Sequence, residues 1–284
     1  MTAFVCTQAA LQTGSWPDPE LIGKHATHAL ILELETWPKP GLVSHIDSGA
    51  HSDMDADLLR LSARTLEPFF IDLAKAGAAD AGMDGLREIG MEAERAMRSA
   101  TGGVNTHRGA IFGLGLLSAA AGLAATWDWR FSLGSLVEAR WGAEILAKPA
   151  ERESHGGTVA RRYRVGGARA EAASGFESVY AVARPALIEG RRLAVADEEA
   201  ARVHACIALI AAVGDSNLLY RGGRRGLRFA QEKARAFLAA GGVGRRNWRW
   251  NAKALHEEFV ARNLSPGGCA DLLAMALFTA ALEP

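Results

Sequence analysis

Gly109-Ala-Ile-Phe-Gly-Leu-Gly-Leu-Leu-Ser-Ala-Ala-Ala-Gly-Leu-Ala-Ala-Thr-Trp127 carries no charged side chain, and Arg108 and Asp128 close it on either side. Its length approaches the ~20 apolar residues that a membrane-spanning helix needs. Its composition points elsewhere. Glycine, alanine and serine dominate, charges stand hard against both ends, and a helix apolar all round is a buried one. The stretch is read as the central helix of a soluble core, and no membrane partner is expected.

Outward from this helix, long segments carry a helical period and almost none alternates for long. Helices are predicted at Pro19–Thr36, Ser52–Ala76, Gly85–Ala100, Thr106–Ala125, Leu133–Leu146, Gly167–Ala183, Asp197–Val213, Arg224–Ala240, Trp248–Asn263 and Pro266–Leu282. The fold class is all-α: one compact domain of about ten helices over residues 19–284, behind an N-terminal segment, 1–18. Residues 147–165 are polar and Arg-rich and read as a loop or a seam. Ser52, with Asp55 three residues on, resembles a capping box. Ser265 before Pro266 reads as an N-cap, and Gly102 and Gly103 suit a left-handed helix stop.

Composition narrows the function. Of 284 residues 49% are apolar, ample for a large core. The formal net charge is zero, which argues against a partner such as bulk nucleic acid or an acidic membrane. Cys6, Cys206 and Cys269 form no CxxC pair, and the first residues lack a secretory pattern, so a reducing, cytoplasmic setting is expected.

Five polar segments interrupt the helices. In Glu33–Gly41, Glu33 continues the apolar stripe of Ile22, Ala26, Ala29 and Leu30. It is either a buried acid paired with an arginine or a functional one. The turn Pro38-Lys39-Pro40-Gly41 could present Lys39 to an anion. In Asp47–Asp55, Asp47, His51, Asp53 and Asp55 offer oxygen-rich ligands suited to Mg²⁺, or simply cap a helix. In Thr101–Gly109, Asn105, Thr106, His107 and Arg108 stand where a helix N-terminus could hold a phosphate; alternatively Asn105 or Thr106 only caps and Arg108 is solvated. In Gly214–Gly226, Asp215 follows an apolar helix, at the dipole's negative end, where an acid needs a compensating cation. Arg221, Gly222 and Gly223 then open a flexible basic loop, either a phosphate cradle or a salt-bridge partner for Asp215. In Leu264–Asp271, Asp271 either supports a site or favours the helix start.

The motifs Pro38-Lys-Pro-Gly-Leu-Val43, Gly49-Ala-His-Ser-Asp-Met-Asp55, Thr101-Gly-Gly-Val-Asn-Thr-His-Arg-Gly-Ala-Ile-Phe112, Gly166-Gly-Ala-Arg169 with Gly175-Phe176, Gly214-Asp-Ser-Asn217 with Arg221-Gly-Gly223, and Ser265-Pro-Gly-Gly268 with Ala270-Asp-Leu-Leu-Ala274 follow one another in order. Together they resemble the triphosphoribosyl-dephospho-CoA synthases. The run ending Ser-His45 looks closer to the malonate decarboxylase branch than to the citrate lyase branch. Ser216, Tyr220, Arg164 and Glu177 depart from the Thr, His, Gly and Pro that the family pattern leads one to expect.

The resemblance implies that the ribose 2′-hydroxyl of 3′-dephospho-CoA attacks C1 of the ATP ribose and adenine leaves. The chain has no GxxxxGK[ST], which chemistry at carbon does not require. Under that reading Glu33, Asp215, His51 and His107 are the catalytic candidates. Lys39, Gly41, Asn105, Thr106, Arg108, Ser216, Asn217, Arg221, Gly222 and Gly223 would bind nucleotide. Asp47, Asp53, Asp55 and Asp215 would hold Mg²⁺. Replacing Asp215 by Asn is expected to abolish turnover and spare the fold. The expected partners are ATP and 3′-dephospho-CoA, with a functional link to an acyl carrier protein and its transferase, and a homodimer is compatible with the sequence. Two competing readings are an Mg-dependent ADP-ribosyl hydrolase-like enzyme, suggested by Gly214-Asp-Ser-Asn217, and a non-catalytic helical partner of a carrier protein.

Overall fold

The computed structural model describes residues 16–127, 129–147, 159, 163 and 166–283. Most of the expected N-terminal segment and most of the Arg-rich stretch 147–165 lie outside them. The described residues are all-α, with eleven α-helices and no strand. In chain order they are α1 (Pro19–Leu34), α2 (Ala56–Ala78), α3 (Met83–Ala100), α4 (Arg108–Trp127), α5 (Leu133–Ala147), α6 (Gly167–Ala173), α7 (Arg184–Leu193), α8 (Glu198–Ala212), α9 (Ser216–Ala239), α10 (Trp248–Val260) and α11 (Gly267–Leu282).

Helix α4 is the axis of the bundle. It is long and apolar enough to cross a membrane, yet 78% of its most apolar window is buried within the fold. Its small residues explain how. A methyl group placed on Gly77 of α2 would lie 1.9 Å from the Ala119 carbonyl oxygen of α4, and one on Gly122 would lie 2.0 Å from the Ala74 carbonyl oxygen of α2. The two backbones touch because neither residue has a side chain. On another face, Gly113 makes room for Met275 of α11, whose Cε would be 1.9 Å from an added methyl. The Gly/Ala content is thus a packing device for close helix contacts.

Three details depart from expectation. The first helical residue of α2 follows Asp55, not Ser52: Asp55 Oδ1 accepts from Leu58 N at 2.9 Å and is itself the cap. The helix predicted over Gly167–Ala183 is broken. It stops at Ala173, turns through Gly175 (φ 74°) and Phe176 (φ 60°), and resumes as a π-helical turn, Val179–Ala183, which runs into α7. Glu171 holds the break by accepting from Ser178 N at 2.6 Å and from Ser178 Oγ at 2.9 Å. The third concerns the stretch between Asp215 and the helix expected from Arg224, where Arg221, Gly222 and Gly223 are expected to open a flexible basic loop. It is helical from Ser216 onward, and α9 runs to Ala239 with one break at Gly223 (φ 60°, ψ −163°). The left-handed stop at Gly102 (φ 63°) and Gly103 (φ 93°) is as expected.

Candidate active site

The last turn of α1 delivers Glu33 to the interior, and the chain then doubles back through Thr36-Trp37-Pro38-Lys39. Lys39 is fully buried, and its ammonium donates to Glu33 Oε1. The partner of the buried acid is therefore not an arginine from another helix but the lysine six residues on. The turn does not present Lys39 to solvent; it tucks it inside. Several groups pin it there. Glu199 accepts from Trp37 N at 3.2 Å, Arg202 Nε donates to Thr36 Oγ1 at 2.9 Å, and His256 Nδ1 donates to the Lys39 carbonyl at 2.6 Å. Gly41 (φ 70°) closes the turn where a methyl group would lie 2.0 Å from the Leu264 carbonyl oxygen, so only glycine fits. A buried charge of this kind is stable only when paired and hydrogen-bonded.

Two more acids approach this pair, each at a helix start. Asp215 is buried and caps α9: its Oδ1 accepts from Asn217 N at 2.7 Å and Leu218 N at 2.9 Å. Its Oδ2 accepts from Cys269 N, in the first turn of α11, at 2.9 Å. The expected conflict with the preceding helix dipole is resolved by two following ones, since Asp215 faces the positive ends of α9 and α11. Burial pushes its carboxyl up, against the pull of these backbone donors. Asp271, half-buried just past the first turn of α11, accepts from Ala110 N at the start of α4. Burial, with the nearby charges of Glu33 and Asp215, pushes its carboxyl well above the usual range. Glycines permit both approaches: a methyl on Gly109 would lie 2.0 Å from Asp271 Oδ2, and one on Gly268 would lie 2.9 Å from Asp215 Oδ2. The starts of α4, α9 and α11 thus converge on three carboxyl groups and one lysine.

His107 borders this interior. Its ring is buried, and Nδ1 meets Ser62 Oγ at 2.7 Å, while Thr106 Oγ1 donates to the same Ser62 oxygen at 2.7 Å. Ser62 thus ties Thr106 and the His107 ring together, the direction of its bond to Nδ1 following the ring tautomer. Burial, then the positive charge of Lys39, pulls its pKa down to about 4, so the ring is neutral near pH 7.

A second cluster lies alongside. His51 Nε2 meets Ser265 Oγ at 2.9 Å and Nδ1 meets Asp53 at 3.2 Å. Arg221 Nη2 lies 3.3 Å from both ring nitrogens, while its Nη1 donates to the Ala50 carbonyl at 2.9 Å and to Asn263 Oδ1 at 2.8 Å. Ser265, expected as an N-cap, instead serves His51; Pro266 occupies the cap position of α11, which has no side-chain cap bond. Burial and the Arg221 charge lower the His51 pKa, against the opposing pull of Asp53.

A comparison with protein families matches residues 19–284 to CitG, ATP:dephospho-CoA triphosphoribosyl transferase. The chain belongs to this family. A protein of Azotobacter vinelandii is 42% identical over 294 residues, spanning 100% of this chain and 97% of its own length. A Pseudomonas aeruginosa protein is 43% identical across 91% of this chain and 89% of its own. One from Vibrio cholerae is 38% identical across 94% and 90%. All three carry the name "Probable 2-(5''-triphosphoribosyl)-3'-dephosphocoenzyme-A synthase". No solved structure matches the chain.

Within this member of the CitG family, the predicted site residues divide. Glu33, Lys39, His107 and Asp215 gather in one interior, Gly41 shapes it, and His51 and Arg221 form the adjoining cluster. Ser216 and Asn217 begin α9, with Asn217 against Gly267. Gly222 and Gly223 serve the helix and its break: a methyl on Gly222 would lie 2.6 Å from Leu264 Cδ2. Asn105 Oδ1 accepts from Arg108 N at 3.3 Å, and the Arg108 side chain pairs with Glu94 at 3.2 Å. The four aspartates expected to hold a metal are not brought together. Asp55 caps α2, Asp53 meets His51, Asp47 accepts from Trp37 Nε1 and Gly49 N, and Asp215 is taken by three backbone donors. Among the described residues no three His, Cys, Asp or Glu side chains form a metal cage.

Two residues of the site carry little signal in the sequence. His256 stands in a polar stretch of α10 with no motif around it, and its partners, Asp47 and Lys39, are more than 200 positions away. Asp271 reads as an ordinary acid near a helix start. The carboxyl groups of Glu33 and Asp271 do not fit a protein-held Mg²⁺: Glu33 is taken by Lys39, and burial with its acidic neighbours pushes the Asp271 carboxyl toward its neutral form.

Proposed function

We propose that the interior bounded by Glu33, Lys39, His107, Asp215 and Asp271 carries out the family's reaction, joining the 5-triphosphoribosyl group of ATP to the 2′-hydroxyl of 3′-dephospho-CoA. The observation that supports this most is the meeting of three carboxyl groups around one buried lysine at three helix starts. Bond making joins the 2′-oxygen to C1 of the ATP ribose. Bond breaking releases adenine with the electron pair of the C1–N9 bond. Such a transition state carries positive charge on the sugar, and a carboxylate beside it lowers the barrier.

Each group has a role suited to its surroundings. Glu33, held in place by Lys39, faces the developing sugar cation. Asp271, with a carboxyl pushed upward, is suited to accept the hydroxyl proton, a step worth ~10²–10⁴-fold. His107, neutral near pH 7, offers its free ring nitrogen for a hydrogen bond with the departing adenine or the triphosphate. Asp215 holds α9 and α11 together so that these groups stay in register. At the edge of the site Arg221 supplies positive charge for phosphate oxygens, and His51 beside it supplies a hydrogen bond. Mg²⁺ accompanies the triphosphate in this reading.

The product would serve a malonate decarboxylase acyl carrier protein in the cytoplasm, a choice that rests on the run Pro38–His45 and not on the fold. The test is mass spectrometry of 3′-dephospho-CoA after incubation with Mg-ATP. A triphosphoribosyl adduct formed with one adenine per product supports the proposal. Adenine released from ATP without dephospho-CoA would favour the hydrolase instead, and no nucleotide binding at all would favour the non-catalytic partner.

A further inference from the structure

A cleft of about 440 Å³ opens on the outer side of the Lys39 turn, and the mechanism above does not use it. Trp37, Ile46, Asp47, Ser48, His256 and Val260 are among its lining residues. Its size falls in the range of pockets that take small organic ligands. Trp37, Val260 and Ile46, the last left 58% exposed, give it an apolar part.

The polar groups are few and aimed. Asp47 Oδ1 accepts from Gly49 N at 2.9 Å and faces His256 Nε2 at 3.1 Å, while Oδ2 has one long contact, 3.3 Å from Trp37 Nε1. Oδ2 can still accept from a ligand. The lysine at the rim, Lys253, is paired with Glu257, so the cleft offers no spare cation to a phosphate. A ligand matching these walls is a neutral aromatic ring with an amino group on its edge. His256 forms a wall between the cleft and the Lys39 turn, touching both Asp47 and the Lys39 carbonyl.

We propose that this cleft binds an adenine base. That either substrate supplies it rests on the function proposed above, since ATP and 3′-dephospho-CoA both carry adenine. The experiment is equilibrium titration of adenosine, purine riboside, ATP and 3′-dephospho-CoA into the wild-type chain, Ile46→Asp and Val260→Glu. The expected result is at least about a tenfold loss of adenosine affinity in each variant, with purine riboside, which lacks the amino group, weaker than adenosine in the wild type. The same loss for ATP alone assigns the cleft to the donor, and for dephospho-CoA alone to the acceptor. Unchanged affinities in both variants, with wild-type circular dichroism, would overturn the proposal. Product formed by the wild type alongside unchanged affinities removes the cleft assignment and leaves the function standing. Adenosine binding lost in Ile46→Asp, with no product made by the wild type, does the reverse.

Discussion

Asp215 Oδ2 accepts from the Cys269 backbone N–H, 54 positions along the chain, at 2.9 Å while its Oδ1 closes the start of α9, so one carboxylate staples the starts of two helices. From sequence alone, Asp215→Asn is expected to abolish turnover and spare the fold. The staple argues that both suffer. An amide keeps one acceptor and turns an N–H₂ toward a backbone donor, leaving a buried clash of like groups. Urea unfolding of Asp215→Asn should show a loss of ~2–4 kcal/mol, the sum expected of a lost cap and a lost charged hydrogen bond. Wild-type stability together with zero turnover would favour the purely catalytic role instead.

Asp271 should behave in the opposite sense. Its folded-state carboxyl titrates well above the unfolded value, so the folded chain holds a proton that the unfolded chain has released. Stability therefore falls as pH rises from the unfolded value through the raised one. Asp271→Asn removes that loss and keeps an oxygen for Ala110 N. The variant should melt above the wild type at pH 8, with the gap closing toward pH 4, while kcat drops at least ~10²-fold. A stabilised variant with full activity would show that Asp271 is a strained cap and nothing more.

His107 titrates the other way. Its pKa is pulled from 6.5 to about 4 in the fold, so the unfolded chain binds the extra proton first. Stability is fully present above pH 6.5 and is lost as pH falls toward about 4, a change of about 3 kcal/mol. In His107→Gln, melting temperatures measured from pH 7.5 to pH 4.5 should decline less steeply than in the wild type. Parallel curves would mean that the ring is more solvated than the Ser62 contact implies.

Much of the fold is legible in the sequence because it depends on local pattern. The uncharged stretch of α4, the stripe Ile22, Ala26, Ala29 and Leu30, and the stop at Gly102-Gly103 are signals within a few turns of chain. The first turns of α9 are not legible in this way. Arg221-Gly-Gly-Arg-Arg has glycine and charge enough for a loop, and it is helical because Asp215 caps it and because Gly222 and Gly226 rest on Leu264. Helix α7 is hidden for a similar reason: Pro185 looks like a breaker, yet it sits in the first turn, where proline is tolerated. In the site, the acids are visible one by one, but which acid meets which helix start depends on the packing of α4, α9 and α11.

The close packing around α4 is testable at Gly77. A methyl group there meets the Ala119 carbonyl oxygen at 1.9 Å, and backbone cannot yield as a side-chain tip can. Gly77→Ala should cost ~1–3 kcal/mol or more by overpacking. Gly90, in α3, has nothing within 4 Å of an added methyl, and Gly90→Ala should gain ~0.5–1 kcal/mol from helix propensity. The opposite signs, read from chemical denaturation midpoints, separate close packing from a general intolerance of the bundle.

His256 offers the sharpest test of how Lys39 is held. Nδ1 donates to the Lys39 carbonyl at 2.6 Å, and Nε2 faces Asp47 at 3.1 Å. An asparagine amide projects its N–H₂ near the place of Nδ1, and a glutamine amide reaches nearer to Nε2. If the bond to the carbonyl positions the turn, His256→Asn should retain kcat within about tenfold while His256→Gln and His256→Ala fall further, with KM for ATP moving little in any of them. If the ring only fills space, all three should lose stability in proportion to lost volume, and kcat should follow stability. Equal kcat in the Asn and Gln variants would therefore remove His256 from the positioning of Lys39.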